Sequence, residues 1–323
     1  MRYAEFGKTS WKVSVIGHGC WQAGMNSWGS DYSYSDASEA IKTSISNGVN
    51  FFDTAEIYGM GLSERILAEA SKNQEIFIAD KVAGYNVERI EKSLLRSEKN
   101  LGRGIDLYQL HWAPSLYTNL GKTVKNMESL VRKGKVPYIG LSNFPTDLLI
   151  KASEYLSREE FVSNQVQYSL VDRRIENSLV PTMNKMGMKV IAYSPLGRGK
   201  LTGKYFDARM PSNLARLAFT RRSRSSPSEA LKGTLEKISS ERRMPISSVS
   251  LGWVIARNAI PIPGSKRPAQ ALDNIKSADL KLGKEDLDSL NHHSHRALRG
   301  EYPSLVPRAL PNRLVRILFE GFT

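Results

Sequence analysis

Cysteine is almost absent: Cys20 stands alone among 323 residues. A single thiol excludes an intrachain disulfide and a cysteine-rich metal site, and no metal is expected. It points to a reducing, cytoplasmic setting. No apolar run approaches the roughly 18 residues of a membrane span. The opening Met1-Arg2-Tyr3-Ala4-Glu5 puts an acid where a secretory leader would begin its apolar stretch. Neither a leader nor a membrane partner is therefore expected. The glycine pattern of open nucleotide-binding sheets is also missing. Gly17 and Gly19 begin it, but the next glycine is Gly24. There is no zinc-finger spacing and no aromatic-basic run of an RNA-binding module, so a nucleic-acid partner is not expected. No composition break, internal repeat or low-complexity linker divides the chain. One domain over 1–323 is expected, with 291–323 as a tail.

What is present is an ordinary soluble composition, 41% hydrophobic and 24% charged, with a formal charge of +14. Such a balance favours solubility and attracts anions. Part of the excess lies between Arg198 and Arg224, including Arg216, Arg221 and Arg222. This stretch has little apolar period and reads as an exposed loop. It raises the hypothesis of a phosphorylated cofactor or an anionic substrate.

Short apolar runs alternate with amphipathic stretches from end to end. The runs are Val15-Ile16-Gly17, Asn50 to Asp53, Ile76 to Ala79, Ile105 to Leu110, Val136 to Leu141, Phe161 to Tyr168, Lys189 to Tyr193 and Ile260 to Pro263. Each precedes a helical period, over 38–47, 63–72, 87–100, 123–132, 146–156, 177–186, 228–243 with 246–257, and 269–277. Continuous apolar strands are those of a parallel sheet buried on both faces. Eight such units predict an α/β fold, a closed (β/α)8 TIM barrel with extra helices. Ser35 or Asp36 is expected to cap the first helix, Asn47-Gly48 to end it, and Pro145 to open the fifth. Arg2 to Val13 is expected to form an N-terminal hairpin over the barrel floor.

Barrel active sites lie at the carboxyl ends of the strands. Asp53, Lys81 and His111 end the second, third and fourth strands, about 4.8 Å apart from neighbour to neighbour. Tyr58 lies in the loop after Asp53. Each has an ordinary alternative: a turn cap, a packed loop aromatic, a solvated strand end, a core histidine. Together they form a proton-donating cluster. A lysine beside a phenol favours the phenolate and lowers its pKa. Asp53 would hold the lysine, and His111 would orient a substrate carbonyl. Such a site still needs a hydride source, so a nicotinamide cofactor is expected.

The run Asn50-Phe51-Phe52-Asp53-Thr54-Ala55-Glu56-Ile57-Tyr58-Gly59, followed by Gly61-Leu62-Ser63-Glu64, resembles the signature of the aldo-keto reductase family. So do Ile139 to Phe144, Asn164 to Tyr168 and Ala192 to Gly197, and the match runs from about Arg2 to Leu290. The segment Gly264-Ser265-Lys266-Arg267 is most similar to the bacterial and archaeal branch that also resembles potassium-channel β subunits. The resemblance implies that Tyr58 is the general acid, with Asp53, Lys81 and His111 as partners. It implies that Ser142, Asn143 and Gln165 hold the nicotinamide carboxamide and that Tyr193 stacks on the ring. Ser194, Pro195, Leu196 and Arg198 would follow the pyrophosphate. Gly264, Ser265, Lys266, Arg267, Gln270, Asp273 and Asn274 would form the adenosine-phosphate site. Trp21 and Trp112 would line the substrate pocket.

By this resemblance the chain is an oxidoreductase that reduces small aldehydes or ketones with NADP(H). Gln270 replaces an arginine that many relatives place on the 2′-phosphate, a departure that weighs against NADP(H) and keeps NAD(H) open as the less favoured cofactor. Lys266 and Arg267 supply the missing charge. Asp80 replaces a small hydroxyl residue and should face away from Lys81. Two other classes stay open: a cofactor-loaded redox sensor or regulatory subunit with little turnover, and a polyanion binder suggested by charge. The final apolar stretch, Leu314 to Phe319, can pack on the barrel, cover the mouth or meet another subunit, so an oligomer also stays open.

Overall fold

The computed structural model describes residues 1–24, 32–204, 206, 226–294 and 310–312. Two short strands open the chain, β1 (Tyr3–Glu5) and β2 (Lys12–Ser14), paired antiparallel. Eight parallel strands follow in one sheet: β3 (His18–Gly19), β4 (Phe51–Asp53), β5 (Phe77–Val82), β6 (Leu107–Leu110), β7 (Tyr138–Ser142), β8 (Phe161–Gln167), β9 (Lys189–Tyr193) and β10 (Ile260–Pro261). Their spatial order is their chain order. Two backbone bonds join the edges, Gly17 N to the Pro261 carbonyl at 2.9 Å and Gly19 N to that of Pro263 at 3.1 Å. The sheet therefore closes into the expected barrel.

The connecting helices are α1 (Tyr34–Ser46), α2 (Leu62–Ala70), α3 (Ile90–Leu101), α4 (Leu120–Arg132), α5 (Thr146–Glu154) and α6 (Leu179–Lys185). They are followed by α7 (Glu229–Arg242), α8 (Ile246–Ala256), α9 (Pro268–Ile275) and α10 (Lys284–His293). The strands' outward side chains, such as Phe52, Ile78, Tyr108, Ile139 and Val190, merge with inward helix residues such as Ile41, Leu67, Leu94 and Met127. A second cluster fills the barrel axis. Phe6 and Val13 from the hairpin meet Phe51, Ala79, Leu107, Val162, Ile191 and Ile260. The hairpin thus plugs the floor, with Phe6 fully buried and its ring 5.4 Å from that of Phe51.

Three local expectations are corrected. The first barrel strand is His18–Gly19, not Val15 to Gly17. Val15 and Ile16 instead pack on Leu251 of α8 and on Ala278, so their apolar character reflects a different burial. The cap of α1 is Ser33, not Ser35 or Asp36. Its hydroxyl accepts from the Asp36 amide, and the Asp36 carboxylate accepts from the Ser33 amide. The tail boundary at 291 falls within α10. The expected basic loop around Arg216, Arg221, Arg222 and Arg224, and the Leu314 to Phe319 stretch, lie outside the described residues.

Candidate active site

Asp53 is the last residue of β4, Lys81 lies near the end of β5, and His111 follows β6. Their pleat turns these side chains into the mouth. Lys81 Nζ is at the centre. It donates to Asp53 Oδ1 at 2.7 Å, to the Thr54 carbonyl at 2.6 Å and to the Tyr58 hydroxyl at 3.3 Å. The same nitrogen stands 4.8 Å from the Tyr58 ring centroid. Lys81 is fully buried. A buried ammonium without partners would lose its proton. Here burial opposes the charge, but Asp53 and Tyr58 outweigh it and raise the pKa.

Tyr58 differs from the sequence expectation. Burial is the larger influence and pushes its pKa up to about 12, although Lys81 pulls the other way. The phenol is therefore held protonated. His111 meets the Tyr58 ring edge-on, with centroids 5.6 Å apart. Burial, and then the Lys81 charge, hold its imidazole well below the ordinary value, so it is neutral.

The loop bearing Tyr58 is fixed from two sides. The Glu56 carboxylate accepts from the Ala83 amide and from Asn86 Nδ2, each at 2.8 Å, and pairs with Arg96. This ties the loop after β4 to the end of β5. Across the mouth, Gly24 lies so close that a Cβ there would sit 2.8 Å from the Tyr58 carbonyl carbon. Sequence reasoning did not find Glu56. An acid between Asp53 and Tyr58 was its only signal, and Arg96 is far along the chain.

Trp21 and Trp112 both border the site. The Trp21 ring is 6.4 Å from that of Tyr58, and the Trp112 ring is 4.8 Å from that of His111. Trp112 clusters with Ala83 and Tyr85, with Ile57 and Leu310 packed against them. Asn312 Nδ2 donates to Thr118 Oγ1 at 2.8 Å. Residues 310–312 therefore sit at the mouth. Tyr85 and Leu310 had no sequence signal, since neither belongs to a strand end.

Four of the residues singled out as carboxamide and ring contacts converge beside this cluster. The Ser142 hydroxyl donates to the Gln165 carbonyl at 3.0 Å. Asn143, with φ of 60°, donates through Nδ2 to the His111 carbonyl at 3.0 Å. The Tyr193 hydroxyl donates to Asn143 Oδ1 at 2.9 Å. Gln165 Nε2 donates to Asp53 Oδ2 at 2.6 Å. After β9, Ser194 and Arg198 take positive φ of 49° and 61° in a tight turn that includes Pro195 and Leu196.

The loop after β10 carries the remaining group. Asn274 Nδ2 donates to Ser265 Oγ at 3.1 Å, and the Lys266 amide to Gln270 Oε1 at 2.8 Å. Gly264 precedes them, and Arg267 is the residue before α9. Asp273 is not drawn into this group. It pairs with Lys276 at 2.9 Å on the surface.

The Aldo/keto reductase family model matches residues 15–295. A chloroplastic pyridoxal reductase of Arabidopsis thaliana is 32% identical over 302 residues, covering 85% of this chain and 81% of that protein. An uncharacterised oxidoreductase of Bacillus subtilis is 31% identical over 323 residues, with 90% and 95% covered. A thermostable aldo-keto reductase solved with the inhibitor epalrestat superposes with a TM-score of 0.75 at 32% identity, over 90% of this chain and 99% of that one.

Proposed function

The chain belongs to the aldo/keto reductase family, and on that footing we propose that it reduces aldehydes or ketones to alcohols with NADP(H), using Tyr58 as the general acid. The observation that carries this reading is the Lys81 ammonium. It lies 2.7 Å from Asp53 and 3.3 Å from the Tyr58 hydroxyl, out of solvent.

The residues present fit the cofactor. Ser142, Asn143 and Gln165 offer amide and hydroxyl groups beside the Tyr193 ring, and Lys266 and Arg267 offer cations near Ser265 and Asn274. When bound, the reduced nicotinamide supplies a hydride. Tyr58 gives its proton to the developing alkoxide. Lys81 stabilises the phenolate left behind, and Asp53 keeps Lys81 charged and in place. Neutral His111 orients the carbonyl by hydrogen bonding. Trp21, Trp112, Tyr85 and Leu310 give the pocket an apolar, aromatic wall that excludes water. That wall suits an apolar or aromatic carbonyl compound, and the pyridoxal reductase relative is named for an aromatic aldehyde. A single cytoplasmic barrel domain over 1–323 is part of the same reading.

The test follows NADPH consumption with a panel of aliphatic, aromatic and anionic aldehydes, pyridoxal included, in wild type and Tyr58→Phe. Turnover in the wild type that the variant loses, with NADPH affinity kept, supports the proposal. Tight NADPH binding with no turnover on any aldehyde would transfer the weight to a redox sensor or regulatory subunit.

A further inference from the structure

Gln109 of β6 stands opposite Lys81 of β5 in register and is fully buried. Leu107, two residues before it, fills the barrel axis, so Gln109 faces the axis as well, one layer nearer the mouth. Burial raises the Asp53 pKa, and Lys81, Gln165 and Gln109 pull it back, in that order. Lys81 and Gln165 act through formed bonds of 2.7 and 2.6 Å. Gln109 acts from a looser approach. Neither its Nε2 nor its Oε1 has a hydrogen-bond partner among the described residues. A buried amide left unpaired at both ends is costly and calls for an explanation.

Ser163 of β8 supplies the other end. Its hydroxyl is fully buried and likewise unpaired among the described residues. β7 runs between β6 and β8, and Gly140, opposite Gln109, has no side chain to keep the two apart. A Cβ there would fall 2.6 Å from Ser163 Oγ and 3.2 Å from Gln109 Cγ. Donor chemistry fixes which way the amide points. An ionised carboxylate only accepts, so the end toward Asp53 is Nε2. Oε1 is then left to accept from the Ser163 hydroxyl. The terminal torsion of glutamine is broad, so the amide can close on both without moving the strand.

We propose that Gln109 is a positioning residue for Asp53: its amide, oriented by Ser163, donates to the carboxylate from β6 as Gln165 does from β8. The inference rests on the reading of Asp53 and Lys81 as partners of the general acid. Gln109 acts on the reaction through Asp53, which keeps Lys81 charged and in place. The other titratable groups facing Asp53 are Lys81 from β5, Tyr58 from the loop after β4 and Cys20 directly after β3. Burial pushes the phenol and the thiol up, so both stay neutral in acid, and Lys81 stays charged. A titration in the acid range at this point therefore belongs to Asp53.

The experiment follows the Asp53 carboxyl by carbon-13 NMR in the full chain, labelled at the aspartate carboxyl carbons. The signal is assigned by its loss in Asp53→Asn, and no turnover is needed. Gln109→Met keeps the length of the side chain and removes the amide. It should raise the midpoint by about one pH unit, a gain of about ten-fold in proton affinity, on the scale of a hydrogen bond to a charged group. Gln109→Asn keeps an amide but withdraws it by one methylene. It should give the same rise, and it keeps the test sound where the methionine variant folds poorly. Ser163→Ala should give a smaller rise that vanishes in the Gln109→Met background, as for groups in one network. The acid limb of kcat should move with the midpoint, and NADPH affinity should not change. A midpoint unmoved in both Gln109 variants overturns the role of Gln109, and additive effects of Ser163→Ala overturn its orientation by Ser163. A midpoint that rises while the acid limb stays in place overturns the reading of Asp53 as a partner of the general acid instead.

Discussion

Gln165 Nε2 lies 2.6 Å from Asp53 Oδ2, so one side chain belongs both to the group proposed to hold the nicotinamide and to the network that holds Lys81. The Asp53 carboxylate is buried, and burial raises its pKa against the pull of Lys81 and Gln165. Replacing the amide with leucine removes a donor from that carboxylate. Gln165→Leu is expected to lower kcat about ten-fold or more, on the scale of a hydrogen bond to a charged group, and to weaken NADPH binding as well. Stopped-flow turnover and fluorescence titration read the two effects separately. A loss in only one would mean that Gln165 serves one site alone.

Tyr58→Phe removes the donor and leaves the ring that meets His111 and Trp21. The expected loss in kcat is on the order of 10² to 10⁴, the usual share of a positioned proton donor. The variant also isolates the phenol's titration. Because burial pushes Tyr58 up to about 12, the ultraviolet difference between wild type and variant should show no ionisation step near the ordinary phenol value of about 10. A step at neutral pH would mean that Lys81 prevails over burial.

Asp80 faces outward from β5, and its carboxyl meets that of Glu64 on α2. Both side chains are fully buried. Burial first, and then the Glu64 charge, raise the Asp80 pKa well above its ordinary value. A folded-state pKa above the unfolded one makes the native state bind more protons. The resulting stability is complete below the unfolded carboxyl value and is lost as pH rises through the folded one. Asp80→Asn keeps the acceptor for the Lys81 amide and offers Glu64 a donor. It is expected to stabilise the protein at neutral and higher pH by on the order of 1–2 kcal/mol, with the gain fading in acid. Thermal unfolding of both proteins across pH measures this. A gain that grew as pH fell would refute the pairing.

Leu310 packs on the cluster of Ala83, Tyr85 and Trp112 at the mouth. Leu310→Ala is expected to raise KM for an apolar aldehyde by about ten-fold or more, as for lost methylenes in a pocket. NADPH affinity should not change. Steady-state kinetics with aromatic and short aliphatic aldehydes would show whether the loss grows with substrate size.

Gly84 has no Cβ because one would sit 2.5 Å from Trp112 Cδ1 and 2.9 Å from the Trp112 carbonyl. Gly84→Ala must displace the indole or the strand end. A cost of about 1–3 kcal/mol in stability is expected from overpacking, together with altered aldehyde preference. Calorimetric unfolding and the same aldehyde panel check both halves.

The barrel was legible because its signals are local. Eight apolar runs, each followed by a helical period, need no long-range information, and Asp53, Lys81 and His111 announce themselves as polar residues ending such runs. Long-range features were not legible in the same way. Val15 and Ile16 read as a strand because periodicity reports burial, not the partner that causes it. For Tyr58 the pull of Lys81 was legible, but the burial that opposes it was not, because depth is a tertiary property. Glu56 needs Arg96 and the Ala83 amide, Asp80 needs Glu64, and Leu310 needs Trp112. In each case tertiary proximity, not spacing, makes the residue significant.

The seam between β3 and β10 draws on opposite ends of the chain and is held by two backbone hydrogen bonds, where the other strand pairs are formed by neighbours in sequence. A ribosome must release the chain through Pro263 before that closure is available. Until then the first strand's edge and the floor plug around Phe6 lack their last wall. The seam is thus the join of largest sequence separation in the ring. A ligand bridging the first and eighth loops would act on it as a fastener, lending that join the strength of its own binding.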